Sequence, residues 1–288
     1  MGFAVTTPTR LVLPAPAKLN LFLHVTGRRE DGYHKLESVF VAITLADTVT
    51  LKVRKDGQIR LIDPPPGLTE KSDLACRAAR ALQLASRSML GVDIHLKKVI
   101  PQGGGLGGGS TDAATTLLGL NRLWSVKQTR NQLRLIGAKL GADVPFFVFG
   151  RPAFASGIGE RLLAVSLPST HYVVAFPGIG VATASVFVDA NLARNTPAAT
   201  TSVFAEGYGR NDLQPVAQRL QPQIAALCDS FAQAGAKPRM TGSGACVFAS
   251  TTDAASAQAL AVRLQAAGWQ CWAVKSIADH PLISFAHG

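Results

Sequence analysis

A run of glycine constrains this chain more than any other stretch. From Pro101 to Asp112 the sequence reads Pro-Gln-Gly-Gly-Gly-Leu-Gly-Gly-Gly-Ser-Thr-Asp, with six glycines in the seven positions Gly103 to Gly109. An alternating segment from Val92 to Ile100 precedes it, and an Ala/Leu-rich segment follows to about Leu123. Flexible Gly/Ser linkers rarely sit between two patterned elements, so this run reads as a structured loop. Without Cβ atoms its backbone can turn sharply and approach a ligand closely. If a helix opens near Ser110, its unpaired N–H groups and dipole favour an anion, for which phosphate is the usual occupant.

The loop matches neither of the common phosphate motifs. It lacks the P-loop lysine, because Gly109 stands in that place. Gly103, Gly105 and Gly108 satisfy the dinucleotide spacing only formally. The preceding strand is amphipathic, and no acidic residue closes a second strand about 20 residues on. Backbone amides are therefore expected to do the holding, with any cation supplied from elsewhere in the chain.

With 47% hydrophobic and 16% charged residues, the 288-residue chain can bury a core in one large domain or two modest ones. The formal charge of +11 points to anionic partners, and nucleic acid, nucleotides and acidic membranes all fit it. Cys76, Cys228, Cys246 and Cys271 form no C-x-x-C pair, which argues against a zinc site and against a disulfide framework. No apolar run reaches the roughly 18 residues of a membrane span. The N-terminus makes a poor signal peptide. A soluble cytoplasmic protein is expected, with no membrane partner.

Along the chain, residues 1–10 read as a loose leader. Leu11 to Val25 reads as a strand broken by Pro14 and Pro16, with Leu19, Leu21, Leu23 and Val25 on one face and Lys18, Asn20, Phe22 and His24 on the other. A polar loop from Gly27 to His34 carries Tyr33 and His34. Ser38 to Ile43 and Asp47 to Val53 read as two strands, the second turning at Asp56-Gly57 into a hairpin with Gln58 to Ile62. A helix capped at Ser72 or Asp73 runs to about Leu90, and another is capped near Thr129. Asp143, before Val144-Pro145-Phe146-Phe147, reads as a turn or cap residue unless it has a partner, for which Lys18 is the candidate. Beyond a boundary near residues 160–170, a strand from His171, a short helix near Ser185 to Leu192, a polar excursion at 195–209, a long helical region from Asn211 to Ala234, a second glycine loop at Met240 to Phe248, a helix and a last strand complete an α+β pattern.

Three motifs now stand in order: Pro16-Ala17-Lys18-Leu19-Asn20, the glycine run from Gly104 to Ala114, and Thr241-Gly242-Ser243-Gly244-Ala245-Cys246. Together they resemble the kinase superfamily that includes galactokinase, homoserine kinase, mevalonate kinase and phosphomevalonate kinase. Asp31-Gly32-Tyr33-His34 and Gly141-Ala142-Asp143-Val144-Pro145 bring it nearest to the branch acting on cytidine diphosphate-linked methylerythritol. The resemblance runs from about Pro16 to the last strand.

The resemblance implies a two-domain α+β kinase fold. An ATP-binding domain with a ribosomal-protein-like fold would span residues 1–165, and a substrate domain residues 166–288. ATP would lie on Pro101, Gln102, Gly103, Gly104, Gly105, Leu106, Gly107, Gly108, Gly109, Ser110 and Thr111, with Ser110 or Thr111 assisting Mg²⁺; no acidic metal ligand is named. Lys18 and Asp143 would be the catalytic pair. Tyr33 and Phe187 would stack on the cytosine, while His34 and Asn20 would hydrogen-bond the small-molecule substrate. The phosphoryl group would go to the 2-hydroxyl of the methylerythritol, in the non-mevalonate route to isoprenoid precursors, by a monomer or weak dimer without nucleic acid. The types suit phosphoryl transfer, which needs charge stabilisation, positioning and removal of a hydroxyl proton. Thr111 where Ser is expected, Gln102 where an apolar residue is common, and an N-terminal extension depart from the family pattern. A kinase acting on homoserine or mevalonate is the nearest rival, although neither needs the Asp31 to His34 loop. A basic RNA-binding protein fits the charge, but only 7% of residues are aromatic and no basic stripe is interleaved with them.

Overall fold

The computed structural model describes residues 8–64, 66–199 and 208–287. Most of the leader, and residues 200–207 of the polar excursion, lie outside the described residues.

Two long strands form the spine of the first half. β1 (Arg10–Arg28) pairs antiparallel with β2 (His34–Arg54) along nearly all of its length. The other edge of β2 is taken in turn by β4 (Gly91–Lys97), β10 (Gln270–Ile277) and β5 (Ala153–Ser156). This corrects the sequence reading twice. Pro14 and Pro16 do not break β1, because β1 lies at an edge where a missing N–H costs no ladder bond. The two strands expected between Ser38 and Val53 are one. The clean alternation expected around Lys18 is also interrupted, by register shifts between Pro16 and Lys18 and between Asn20 and Leu23. Lys18, Leu19, Asn20, Leu23 and His24 are consequently all buried.

The hairpin expected at Asp56-Gly57 does not form. β3 (Ile59–Ile62) runs parallel to β4 instead, because β4 already occupies the edge of β2 that a hairpin would need. β6 (Arg161–Ala164) pairs with β5. Over this sheet pack α1 (Leu74–Ser86), capped by Asp73, and α2 (Gly108–Leu123). From Thr111 to Leu123 only Arg122 is exposed, so α2 is a central helix, buried nearly all round. Leu117, Leu118 and Leu120 are wholly buried there, each worth about 1.5–3 kcal/mol in transfer from water. α3 (Arg130–Ala138) starts at a capping box between Thr129 and Gln132. It is followed by α4 (Val144–Phe149), a one-and-a-half-turn helix that the apolar run from Val144 did not announce.

In the second half β7 (His171–Phe176) lies between β10 and β9 (Val247–Thr251), with β8 (Arg239–Met240) beyond β9. α5 (Thr183–Val188) follows β7. The long helical region expected from Asn211 is two helices, α6 (Gln214–Leu220) and α7 (Pro222–Gln233), since Gln221 precedes a proline and leaves the helical region at φ −138°. α8 (Ala254–Ala266) precedes β10. The halves interlock. β10 reaches β2 through Ser276 and Ile43, and Leu282 and Ala286 pack into the core of the first half. A third core, including Leu19, Ile43, Leu106 and Val174, fills the joint between the halves.

Candidate active site

A cavity of about 950 Å³ opens over this joint and is lined by the glycine loop, by Lys18 and Asn20 of β1, by Asp143, by Tyr33 and His34, and by Phe187. The glycine loop forms one wall. α2 begins at Gly108, two residues before the expected Ser110, with Gly107 at φ +75° as its cap. No side chain caps this end. The first N–H groups of the helix, which have no partner within it, thus remain for a ligand on the cavity wall. Pro101 to Ser110 all line the cavity, whereas Thr111 is wholly buried and lies off the wall.

The second glycine loop is the scaffold of the first. Ala245 and Cys246 donate their backbone N–H groups to the carbonyls of Gly103 and Gly104, each at 3.0 Å. Gly105 sits at φ +74°, and a Cβ there would stand 2.3 Å from the carbonyl oxygen of Thr241. Only glycine lets the two loops approach so closely. Thr241 also accepts the backbone N–H of Asn20 through its hydroxyl at 2.9 Å, tying the second loop to β1.

Lys18 and Asp143 meet at the mouth of the glycine loop, with Nζ and Oδ2 at 3.5 Å. They come from β1 and from the residue before α4, brought together across 125 positions of sequence. Asp143 occupies the cap position of α4 but makes no capping hydrogen bond, so its carboxylate is turned to Lys18 rather than to the helix. Lys18 is 3% exposed. Its ammonium donates to Asn20 Oδ1 at 2.5 Å and lies 4.7 Å from the centre of the Phe40 ring, and its backbone N–H donates to the Leu106 carbonyl at 3.0 Å. Asn20 is committed at both ends, since Nδ2 donates to Ser38 Oγ at 2.8 Å.

A second buried charge group was not singled out from the sequence. Lys98 donates to both Asp47 and Asp112. Its Nζ lies about a contact distance, 3.5 Å, from where a Cβ on Gly108 would be, at the first turn of α2. Burial works against the Lys98 ammonium, but the two carboxylates outweigh it and raise its pKa, so the ammonium stays charged. Burial pushes Asp112 up to about 7 against the pull of Lys98. Asp47 also accepts the Ile100 N–H at 2.8 Å. A cation thus stands beside the glycine loop, shared between two buried carboxylates. Nothing in a sequence signals a pairing across 51 positions.

At the far end, Tyr33 stands 62% exposed on the turn before β2. His34 is half-buried and lies against Phe187, with ring centres 5.1 Å apart at 30°. Arg194 donates through Nε to His34 Nε2 at 3.0 Å. Burial, then Arg194 and Arg28, lower the pKa of His34. Among the described residues no cluster of three or more acidic, histidine or cysteine side chains could hold a metal ion, and no helix is long and apolar enough to cross a membrane.

Known proteins bear on this arrangement. Residues 73–151 match the family described as GHMP kinases N terminal domain, and residues 201–268 match GHMP kinases C terminal. The 4-diphosphocytidyl-2-C-methyl-D-erythritol kinase of Cupriavidus metallidurans is 49% identical over 99% of each chain. The enzyme of the same name from Nitrosomonas europaea is 50% identical over 95% of this chain and 99% of its own. A crystal structure of 4-(cytidine 5'-diphospho)-2C-methyl-D-erythritol kinase, 36% identical, matches with a TM-score of 0.81 over 92% of this chain and 99% of that one.

Proposed function

The chain belongs to the GHMP kinases and, within them, to the 4-diphosphocytidyl-2-C-methyl-D-erythritol kinases, and from that premise we infer that it transfers the γ-phosphoryl group of ATP to the 2-hydroxyl of 4-diphosphocytidyl-2-C-methyl-D-erythritol, a step of the non-mevalonate route to isoprenoid precursors. The observation that carries the reading for this chain is the Lys18–Asp143 pair, set beside an uncapped glycine-loop helix in a cavity whose other end holds Tyr33, His34 and Phe187.

In this reading the backbone N–H groups from Gly103 to Ser110 hold the ATP phosphates, with Lys98, itself held by Asp47 and Asp112, beside the first turn of α2. Asp143 accepts the proton of the acceptor hydroxyl as its oxygen bonds to the γ-phosphorus. The bond from that phosphorus to the β–γ bridging oxygen breaks, and ADP leaves with the electron pair. Lys18, held by Asn20, stabilises the charge on the transferring group. Tyr33 and Phe187 stack on the cytosine, and His34 and Asn20 face the acceptor.

Mg²⁺ fits the chemistry of this wall as a companion of ATP. It keeps most of its waters and needs only one or two protein oxygens beside the phosphates, for which the Ser110 hydroxyl is placed on the wall. When bound it neutralises charge on the phosphate oxygens. Thr111 is buried off the wall. The reading also keeps the division at residues 165 and 166, a monomer or weak dimer, and a cytoplasmic setting. The last is supported by four buried, unbridged cysteines.

The test is ADP release in a coupled assay with ATP, Mg²⁺ and each of three acceptors: the cytidine diphosphate-linked methylerythritol, mevalonate and homoserine. Turnover with the first alone is expected. Turnover only with another acceptor would keep the fold and overturn the specificity.

A further inference from the structure

We propose that Arg194 is a positioning residue for the base end of the cavity, fixing His34 as the imidazole protonated on Nδ1 and holding the segment that carries Phe187. The inference rests on the reading of Tyr33, His34 and Phe187 as a pyrimidine site. It adds a residue that touches no substrate in that reading and acts through two that do.

The geometry is specific. The guanidinium is a donor only. Its Nε donates to His34 Nε2 at 3.0 Å, so that ring nitrogen is bare and the proton of the neutral ring sits on Nδ1. The terminal nitrogens donate to three backbone carbonyls at the end of α5 and just beyond it: Phe187 at 3.1 Å, Asp189 at 2.7 Å and Leu192 at 3.1 Å. One side chain therefore bonds the His34 ring and the backbone that carries its 5.1 Å partner Phe187. Among the described residues no carboxylate lies within ion-pair distance of Arg194.

The charged groups around His34 all oppose its protonation or are otherwise engaged. Arg194 faces it from beyond α5 and Arg28 from the end of β1, and both lower its pKa after burial. Asp31, in the turn, pairs with Arg29 at 2.7 Å, and Asp189 pairs with Arg219. Protonating Nε2 would expel the Arg194 hydrogen bond and leave two cations face to face. A base entering this end thus meets one tautomer and a ring already in place, which lowers the ordering cost of binding.

The direct test reads the unaltered ring. Long-range ¹H–¹⁵N correlation spectra of the ligand-free full chain at pH 7, with the His34 signals assigned by their loss in His34→Gln, should show Nδ1 protonated and Nε2 bare. An Nε2-protonated ring would overturn the proposal. Arg194→Met should then release the tautomer, move the acid limb of kcat/KM for the cytidine acceptor to higher pH, and raise its KM on the order of tenfold, as loss of one hydrogen bond does, with KM for ATP unchanged. Arg194→Lys, which keeps the charge but not the fork, should fall in the same direction. If His34→Gln and Phe187→Ala raise the acceptor KM while both Arg194 variants leave tautomer, KM and acid limb unmoved, this inference fails alone. If His34→Gln and Phe187→Ala also leave KM unmoved, the pyrimidine-site reading fails with it.

Discussion

At the reactive end of the cavity Lys18 is 3% exposed, tied to Asn20, Leu106 and Asp143 and backed by two interlocked glycine loops. At the base end Tyr33 is 62% exposed, on a turn, and Phe187 lies in a six-residue helix whose following segment is held by one arginine. The first end is made of backbone and long-range contacts between regular elements, and the second of aromatic side chains on short connections. Phosphoryl transfer needs fixed donors and a fixed proton acceptor, which a rigid frame supplies. Recognition of a flat base needs faces and edges that can be changed without disturbing that frame.

If the division of labour is real, substitutions at the two ends should separate kcat from KM. The largest effect is expected from Lys18→Met, which should lower kcat by about 10²–10³-fold, the range seen on removing one donor to a developing charge. Acceptor and ATP affinities, measured by equilibrium binding, should hold within a few-fold. Gly105→Ala comes next. It places a Cβ 2.3 Å from the Thr241 carbonyl at φ +74° and should destabilise the fold by roughly 1–3 kcal/mol. A thermal melt and the KM for ATP should both report it, because the strain falls on the joint between the loops. An Ala variant as stable as the parent would show that the loops do not brace one another.

Phe187→Ala should raise KM for the cytidine acceptor by about 2–12-fold with kcat preserved, the span expected for one aromatic contact. The smallest effect is the dependence on pH. The pKa of His34 is lowered, so its neutral form persists below the ordinary 6.5 and is lost only as pH falls through the lower folded value. Acceptor KM should therefore be flat above pH 6.5 and rise on acidification below it, while KM for ATP should not follow. A rise centred at or above 6.5 would mean that His34 is free of Arg194 and Arg28.

The two ends also differed in how far they could be read from sequence. The glycine loop, the second loop and the Thr129 cap are local patterns, and each formed from the residues that indicated it, with α2 starting two residues before Ser110. Lys18 and Asp143 carried no local signal, since a lysine on a strand face and an aspartate before a proline are both ordinary. Their pairing followed from the order of motifs and from the resemblance those motifs carry. The spine strands were misjudged because the tolerance of β1 for Pro14 and Pro16 depends on having an open edge, which is a property of the assembled sheet. The Asp47–Lys98–Asp112 group and Arg194 escaped notice for a related reason. Each has a partner that only tertiary folding brings near, His34 in the case of Arg194, and an arginine in Leu192-Ala193-Arg194-Asn195 looks like any solvated loop residue.

The most direct test of the account is Asp143→Asn, assayed for ADP release with the cytidine acceptor and, separately, for binding of acceptor and of ATP. The account predicts turnover reduced by about 10²–10⁴-fold, the contribution of a positioned proton acceptor, with both ligands still bound. Turnover within a few-fold of the parent, with both ligands bound, would contradict it and move the chemistry away from the Lys18–Asp143 pair.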